Sequence, residues 1–103
     1  MRKVTRFYVI ANMRAHAMLI KAWASLTVEA FGQSLDECQR GLEDDPANPN
    51  LLSLQAQAHM HLGEYKEARP ILEKVVLLNP AGGASHYNLA CCACVLDDDL
   101  DRV

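Results

Sequence analysis

The feature that most constrains this chain is a recurrence at an interval of 34 residues. Asp45-Pro46 and Asn79-Pro80 are 34 apart, and so are Phe31 and Tyr65, and Ser34 and Ala68. Between these marks the apolar residues follow helical spacing. Leu52, Ala56 and His59 fall on one side of a segment running from Asn50 to Leu62, with Leu51, Ala58 and Leu62 beside them. Offsets of three and four residues are those of an amphipathic helix. Gly63 interrupts the pattern where a helix would end. Tyr65, Ala68, Leu72, Val75 and Val76 then resume it until Asn79, which the following proline pushes out of the helical region.

The segment upstream has the same layout. Leu19, Ala22, Trp23 and Leu26 define a first helix over residues 15–28, and Phe31, Leu35, Cys38 and Leu42 define a second that closes at Asp44. After Pro80 the unit starts again. Gly82-Gly83 form a joint, Ser85 is placed to cap a helix, and that helix runs to Leu96 before the acidic run Asp97-Asp98-Asp99. The organisation expected is a basic extension of the first helix over 1–14, full units over 15–48 and 49–82, and an incomplete unit over 83–103. Pro70 falls inside the second helix of the clearest unit, where a mild bend is expected.

These residues resemble the tetratricopeptide repeat family. Gly63-Glu64-Tyr65-Lys66-Glu67-Ala68 matches its turn, Ala56 its small position, Leu72 and Val75 its packing positions, and Asn79-Pro80 its close. Upstream the match is looser: Ala22 and Phe31 agree, Ser34 and Gly41 stand where alanine is usual, and Glu29 replaces the turn glycine. Downstream, Tyr87-Asn88-Leu89-Ala90 matches the opening of a unit, and Asp97 stands where glycine is expected in a turn one residue too long. The resemblance implies an all-α fold of antiparallel helical hairpins stacked as a short right-handed superhelix. It also implies a protein-binding role, as adaptor, scaffold or chaperone subunit, and no enzymatic activity. A hairpin this short cannot bury its apolar face alone, so hairpins stack, and the first helix of each lines the concave side.

By that register the groove is lined by His16, Leu19, Ile20 and Trp23, then Asn50, Ser53, Leu54, Gln57 and His61, then Tyr87, Asn88 and Cys91. Those expected to hold a partner segment are Leu19, Trp23, Ser53, Leu54, Gln57, His61, Tyr87 and Asn88. Trp23, Leu54 and Tyr87 would seat its apolar side chains, and Gln57 and Asn88 would bind its backbone. The alternative is that Trp23 and Leu54 merely pack against neighbouring helices. Some family members grip a C-terminal carboxylate of heat-shock chaperones with Lys, Asn and Arg. Asn88 resembles one such Asn, but Ser53 and Ala84 stand where Lys is needed, which argues against that grip.

Charge and cysteine suggest two rival functions. Residues 1–28 hold five bases and no acid, while the rest holds thirteen acids against five bases. A basic amphipathic start is similar to a mitochondrial presequence, so an import or assembly factor is the alternative to a cytoplasmic adaptor. Cys91, Cys92 and Cys94 invite a third reading as a thiol or metal protein. Their mid-helix placement, without a second cysteine pair, favours packing over ligation, and no cofactor is expected. His16, His59, His61 and His86 are too scattered to converge. No apolar run reaches the ~20 residues of a membrane span, and the acidic body opposes nucleic-acid binding. The uncapped third unit, with Leu89, Ala93 and Leu96, is expected to leave an apolar face open to self-association.

Overall fold

The computed structural model describes residues 2–97, and side chains over 9–97. Its five helices are α1 (Arg2–Thr27), α2 (Phe31–Asp44), α3 (Pro49–His61), α4 (Tyr65–Leu78) and α5 (Gly83–Leu96), with no strand among the described residues. Neighbours in sequence pack on one another, and α3 also touches α1 and α5, so the first helices of successive units form one continuous wall. The chain folds as the all-α stack of hairpins that the 34-residue register implies.

That register persists in the backbone. At the end of α3 the amide of Gly63 donates to the Met60 carbonyl and that of Glu64 to the His59 carbonyl, with Gly63 at φ 78°. At the end of α1, 34 residues earlier, Glu29 donates to Leu26 and Ala30 to Ser25, with Glu29 at φ 64°. Both are Schellman closures, which require a left-handed residue after the C-cap. Glu29 adopts this conformation without glycine's freedom. The C-caps of α2 and α4, Asp45 and Asn79, match as well, at φ −143° and −141° with ψ 78° in each.

Two apolar clusters fill the interfaces. One joins Ala15 and Ala22 of α1, Cys38 of α2, and Leu51 and Leu54 of α3; the other joins Ala56, Ala68, Leu72 and Cys92, with Tyr65 and Leu89 against it. Equivalent positions carry equivalent burial: Ala22 with Ala56, Ser34 with Ala68, and Cys38 with Leu72 are all fully buried. Phe31 and Tyr65 are both half-buried. Ser34, where Ala68 stands one unit later, spends its hydroxyl by donating to the Ala22 carbonyl at 2.8 Å. Gly41 has a packing reason: a Cβ there would lie 2.8 Å from Leu51 Cδ1 and 3.0 Å from Met18 Cβ.

Several expectations need correction. Ser85 does not cap α5; Gly82 is the N-cap, and Ser85 is buried. The side-chain cap belongs to Asn48, whose Oδ1 accepts from the amides of Asn50 and Leu51 at the start of α3. Leu62 is exposed, since the Schellman turn carries it out of the α3 stripe. In α5, Leu89, Ala93 and Leu96 are half-buried, and the open side is formed by Ala90, Cys94 and Val95. As expected, Pro70 does not break α4, which runs on through it; Pro70 is exposed, so the Lys66 carbonyl left without an amide donor lies on the outer side of the helix. The acidic turn past Asp97 and the rest of the third unit lie outside the described residues.

Candidate functional site

Helices α1 and α3 splay apart on one side and leave an open groove of about 520 Å³. Leu19, Ile20 and Trp23 line it from α1, and Asn50, Ser53, Leu54 and Gln57 from α3. The helical period explains the selection: these residues recur at intervals of three and four along one side of each helix. Trp23 is 60% exposed, which is not the state of a core tryptophan. Leu54 is 7% exposed and belongs to the first cluster, so it forms the floor of the groove while Trp23 forms its wall. Of the two readings of this pair, Leu54 follows the packing one and Trp23 does not.

A second, smaller groove of about 290 Å³ adjoins the first through Gln57, which lines both. Met60, His61, Tyr65 and Asn88 complete it. His61 lies parallel to Phe31, with ring centroids 4.7 Å apart and planes 2° from coplanar. The stack arises because the C-terminal end of α3 passes the N-terminal end of α2. It fixes the imidazole at the margin of the groove.

The structure therefore gathers seven of the eight expected residues along one wall: Leu19, Trp23, Ser53, Leu54 and Gln57 in the larger groove, His61 and Asn88 in the smaller. Tyr87 is 71% exposed and lines neither. His16 and Cys91 line neither groove. Met60 and the His61–Phe31 stack are absent from the sequence reading. The stack was in principle legible, because antiparallel neighbours bring the end of one helix to the start of the previous one.

Among the described residues, no side chain lining either groove is Lys, Arg, Asp or Glu. The ion pairs among the described residues lie elsewhere, Arg14 with Asp44 at 3.0 Å, Arg40 with Asp36 at 3.3 Å and Arg69 with Asp97 at 3.3 Å, and His59 Nδ1 is hydrogen-bonded with Glu64 at 2.8 Å. What the groove offers is apolar carbon with amide and hydroxyl groups along one rim. The cysteines are dispersed by the same helical geometry. Cys38 and Cys92 are buried, Cys91 is half-buried and Cys94 exposed. Burial pushes the Cys38 thiol up to about 11, and pushes that of Cys92 upward as well. Such thiols stay protonated and poorly nucleophilic near neutral pH.

Comparison with known proteins agrees with this architecture. Residues 26–90 match the family model described as tetratricopeptide repeat. The peptidyl-prolyl cis-trans isomerase FKBP4 of Mus musculus is 30% identical over 80 residues, covering 78% of this chain and 18% of that protein. Its Homo sapiens counterpart is also 30% identical over 80 residues, at 78% and 17%, and that of Bos taurus 29% over 90 residues, at 87% and 20%. The chain thus spans about a fifth of the length of these relatives. Among solved structures, the first TPR of Spaghetti (RPAP3), bound to the HSP90 peptide SRMEEVD, superposes with a TM-score of 0.80 at 20% identity. That match covers 84% of this chain and 69% of the other, and at such identity the likeness is one of fold. With a family model over more than half of its length, and with its turns, small positions and closing prolines in the 34-residue register, this chain belongs to the tetratricopeptide repeat family.

Proposed function

We propose that this chain is a protein-interaction module that holds an extended segment of another protein in the groove between α1 and α3. The observation that carries the reading is the state of Trp23, a large aromatic exposed on the wall of an apolar groove whose rim is made of amides and hydroxyls. An occupant with two apolar side chains would cover Trp23, Ile20 and the Leu54 floor, and Asn50, Gln57 and Asn88 would bond its backbone. Each of the two anchors contributes about 1.5–3 kcal/mol before ordering costs, which points to a weak complex with a dissociation constant on the order of 0.1–1 mM.

The structural neighbour holds an acidic HSP90 peptide. This groove suits a different occupant, because none of its described lining side chains is Lys or Arg to pair with Glu-Glu-Val-Asp or its terminal carboxylate. The fold is shared and the specificity is not. An adaptor or scaffold that selects an uncharged apolar segment is the finer role proposed.

The test is a titration of Trp23 emission, the only tryptophan signal in the chain. Neutral peptides bearing two Leu or Phe anchors are compared with SRMEEVD. The neutral class is expected to shift the emission to the blue and to bind about tenfold more tightly, equivalent to roughly 1.4 kcal/mol. Ser53→Glu, on the rim, should weaken the binding of labelled peptide by a similar factor. Tighter binding of SRMEEVD, or indifference to Ser53→Glu, would overturn the reading.

The import-factor alternative meets a physical obstacle. Removal of a presequence by cleavage within residues 15–30 would delete the helix that buries Ala15 and Ala22 and accepts the Ser34 hydrogen bond. Sequencing the mature N-terminus in cells separates the two, since an N-terminus within that interval would abolish the groove.

A further inference from the structure

Thr27, His61 and Val95 occupy one register position, at or next to the end of the three first helices. Of the three side chains, only the imidazole changes its charge near neutral pH. His61 closes α3 as an exposed residue, and its ring lies parallel to that of Phe31, with centroids 4.7 Å apart. It lines the smaller groove with Gln57, Met60, Tyr65 and Asn88. Those four stay uncharged between about pH 5 and pH 8, and so does every described residue lining the larger groove. One proton on His61 therefore sets the charge of the whole described lining.

The neighbours of the ring are neutral. From α2 it meets the face of Phe31, and α4 and α5 bring Tyr65 and Asn88 into the same groove. An aromatic face and the carbonyl end of a helix both accommodate a cation. Glu64, on the turn after α3, is held by His59 Nδ1 at 2.8 Å. Glu29, Lys66 and Glu67 are exposed and line neither groove, and the same holds for His16 on α1. We infer that His61 determines specificity in the smaller groove: as a neutral ring it leaves the lining uncharged, and as an imidazolium it selects an Asp or Glu that the partner segment carries beside its apolar anchors. This inference rests on the groove reading and adds to it a preference that appears on mild acidification. An imidazolium donates from both ring nitrogens, and it gives a carboxylate the one opposite charge that the described lining can supply.

The experiment titrates the full chain, through Trp23 emission, with two peptides that carry the same pair of Leu anchors. One is flanked on both sides by Asn and the other by the isosteric Asp, so either direction of binding brings a flank to the smaller groove. Both peptides are acetylated and amidated, which removes any terminal carboxylate. Between about pH 8 and pH 6 the Asp peptide is expected to gain about threefold to fivefold in affinity over the Asn peptide, the scale of a solvent-exposed ion pair. His61→Gln, checked for unchanged helicity, should abolish that gain. His16→Gln should keep it, which separates His61 from the general loss of negative charge on acidification. If the Asn peptide binds but the gain is absent from the native chain, persists in His61→Gln or vanishes in His16→Gln, the inference falls and the groove reading stands. If neither peptide binds at either pH, the groove reading falls and the inference with it.

Discussion

Glu29 and Gly63 do the same backbone job 34 residues apart, at φ 64° and 78°. A non-glycine residue in this region costs about 1 kcal/mol or more, through contact of its Cβ with the backbone. Glu29→Gly is therefore expected to raise the urea midpoint, by an amount equivalent to about 0.5–1 kcal/mol. Gly41 behaves in the opposite sense. Alanine there has the better helix propensity, by about 1 kcal/mol, but its Cβ would press on Leu51 and Met18 in a packed interface. Gly41→Ala should be net destabilising by about 1 kcal/mol in the same urea measurement. Both substitutions move toward the residue usual in the family, and they are expected to move stability in opposite directions. Cys38 adds a pH effect. Its thiol is raised from 9.0 to about 11 by burial, so between those values the unfolded chain releases a proton that the folded chain keeps. Stability should fall as pH rises across that window, and Cys38→Ala should flatten that fall in alkaline denaturation curves.

At the scale of the element, α4 carries a visible penalty. Pro70 deprives the Lys66 carbonyl of its helical donor on an exposed face. The helix survives because Ala68, Leu72 and Val75 remain buried on the opposite side. Pro70→Ala should restore that hydrogen bond and stabilise the chain by about 1–2 kcal/mol, less than the full proline penalty because proline also restricts the unfolded chain. Thermal unfolding followed by circular dichroism reads this directly. Helix α1 is exceptional for its length, 26 residues against 13 or 14 in the others. The ion pair between Arg14 and Asp44 ties α1 to the end of α2, and Ala11, one turn earlier, is still buried. The residues before Ala11 continue the helix by roughly 14 Å toward its start at Arg2.

At the scale of the molecule, each unit is buried by its neighbours, so protection should be greatest in the middle. Ala22 and Ala56 are fully buried between the helices of their hairpins, whereas Ala90, the same place in the third unit, is exposed. Hydrogen exchange should accordingly run fastest in α5 and slowest in α3, which has packed helices on both sides. Equal protection of α3 and α5 would show that the open face of α5 is covered in solution, the outcome that self-association through the third unit requires. The helices, their order and most of the groove were legible in the sequence because a period of 34 and offsets of three and four are properties of the chain alone. Ser85 was misread because its register position, beside the fully buried Cys92, outweighs its capping propensity.

The sequence by itself determined the hairpins, their stacking register and which face of each first helix turns inward, since all three follow from side-chain period and turn chemistry. It did not determine that Trp23 stands exposed while Leu54 forms a floor, or that Tyr87 stays outside the groove. Nor did it determine that Ala17 and Ala24 of α1 stand exposed. Those outcomes depend on which helix lies against which, and a burial fraction is a property of the neighbour as much as of the residue. Identical positions in successive units, Ala24, Ala58 and Cys92, are exposed in the first and buried in the next two because only the last two have a helix packed over them.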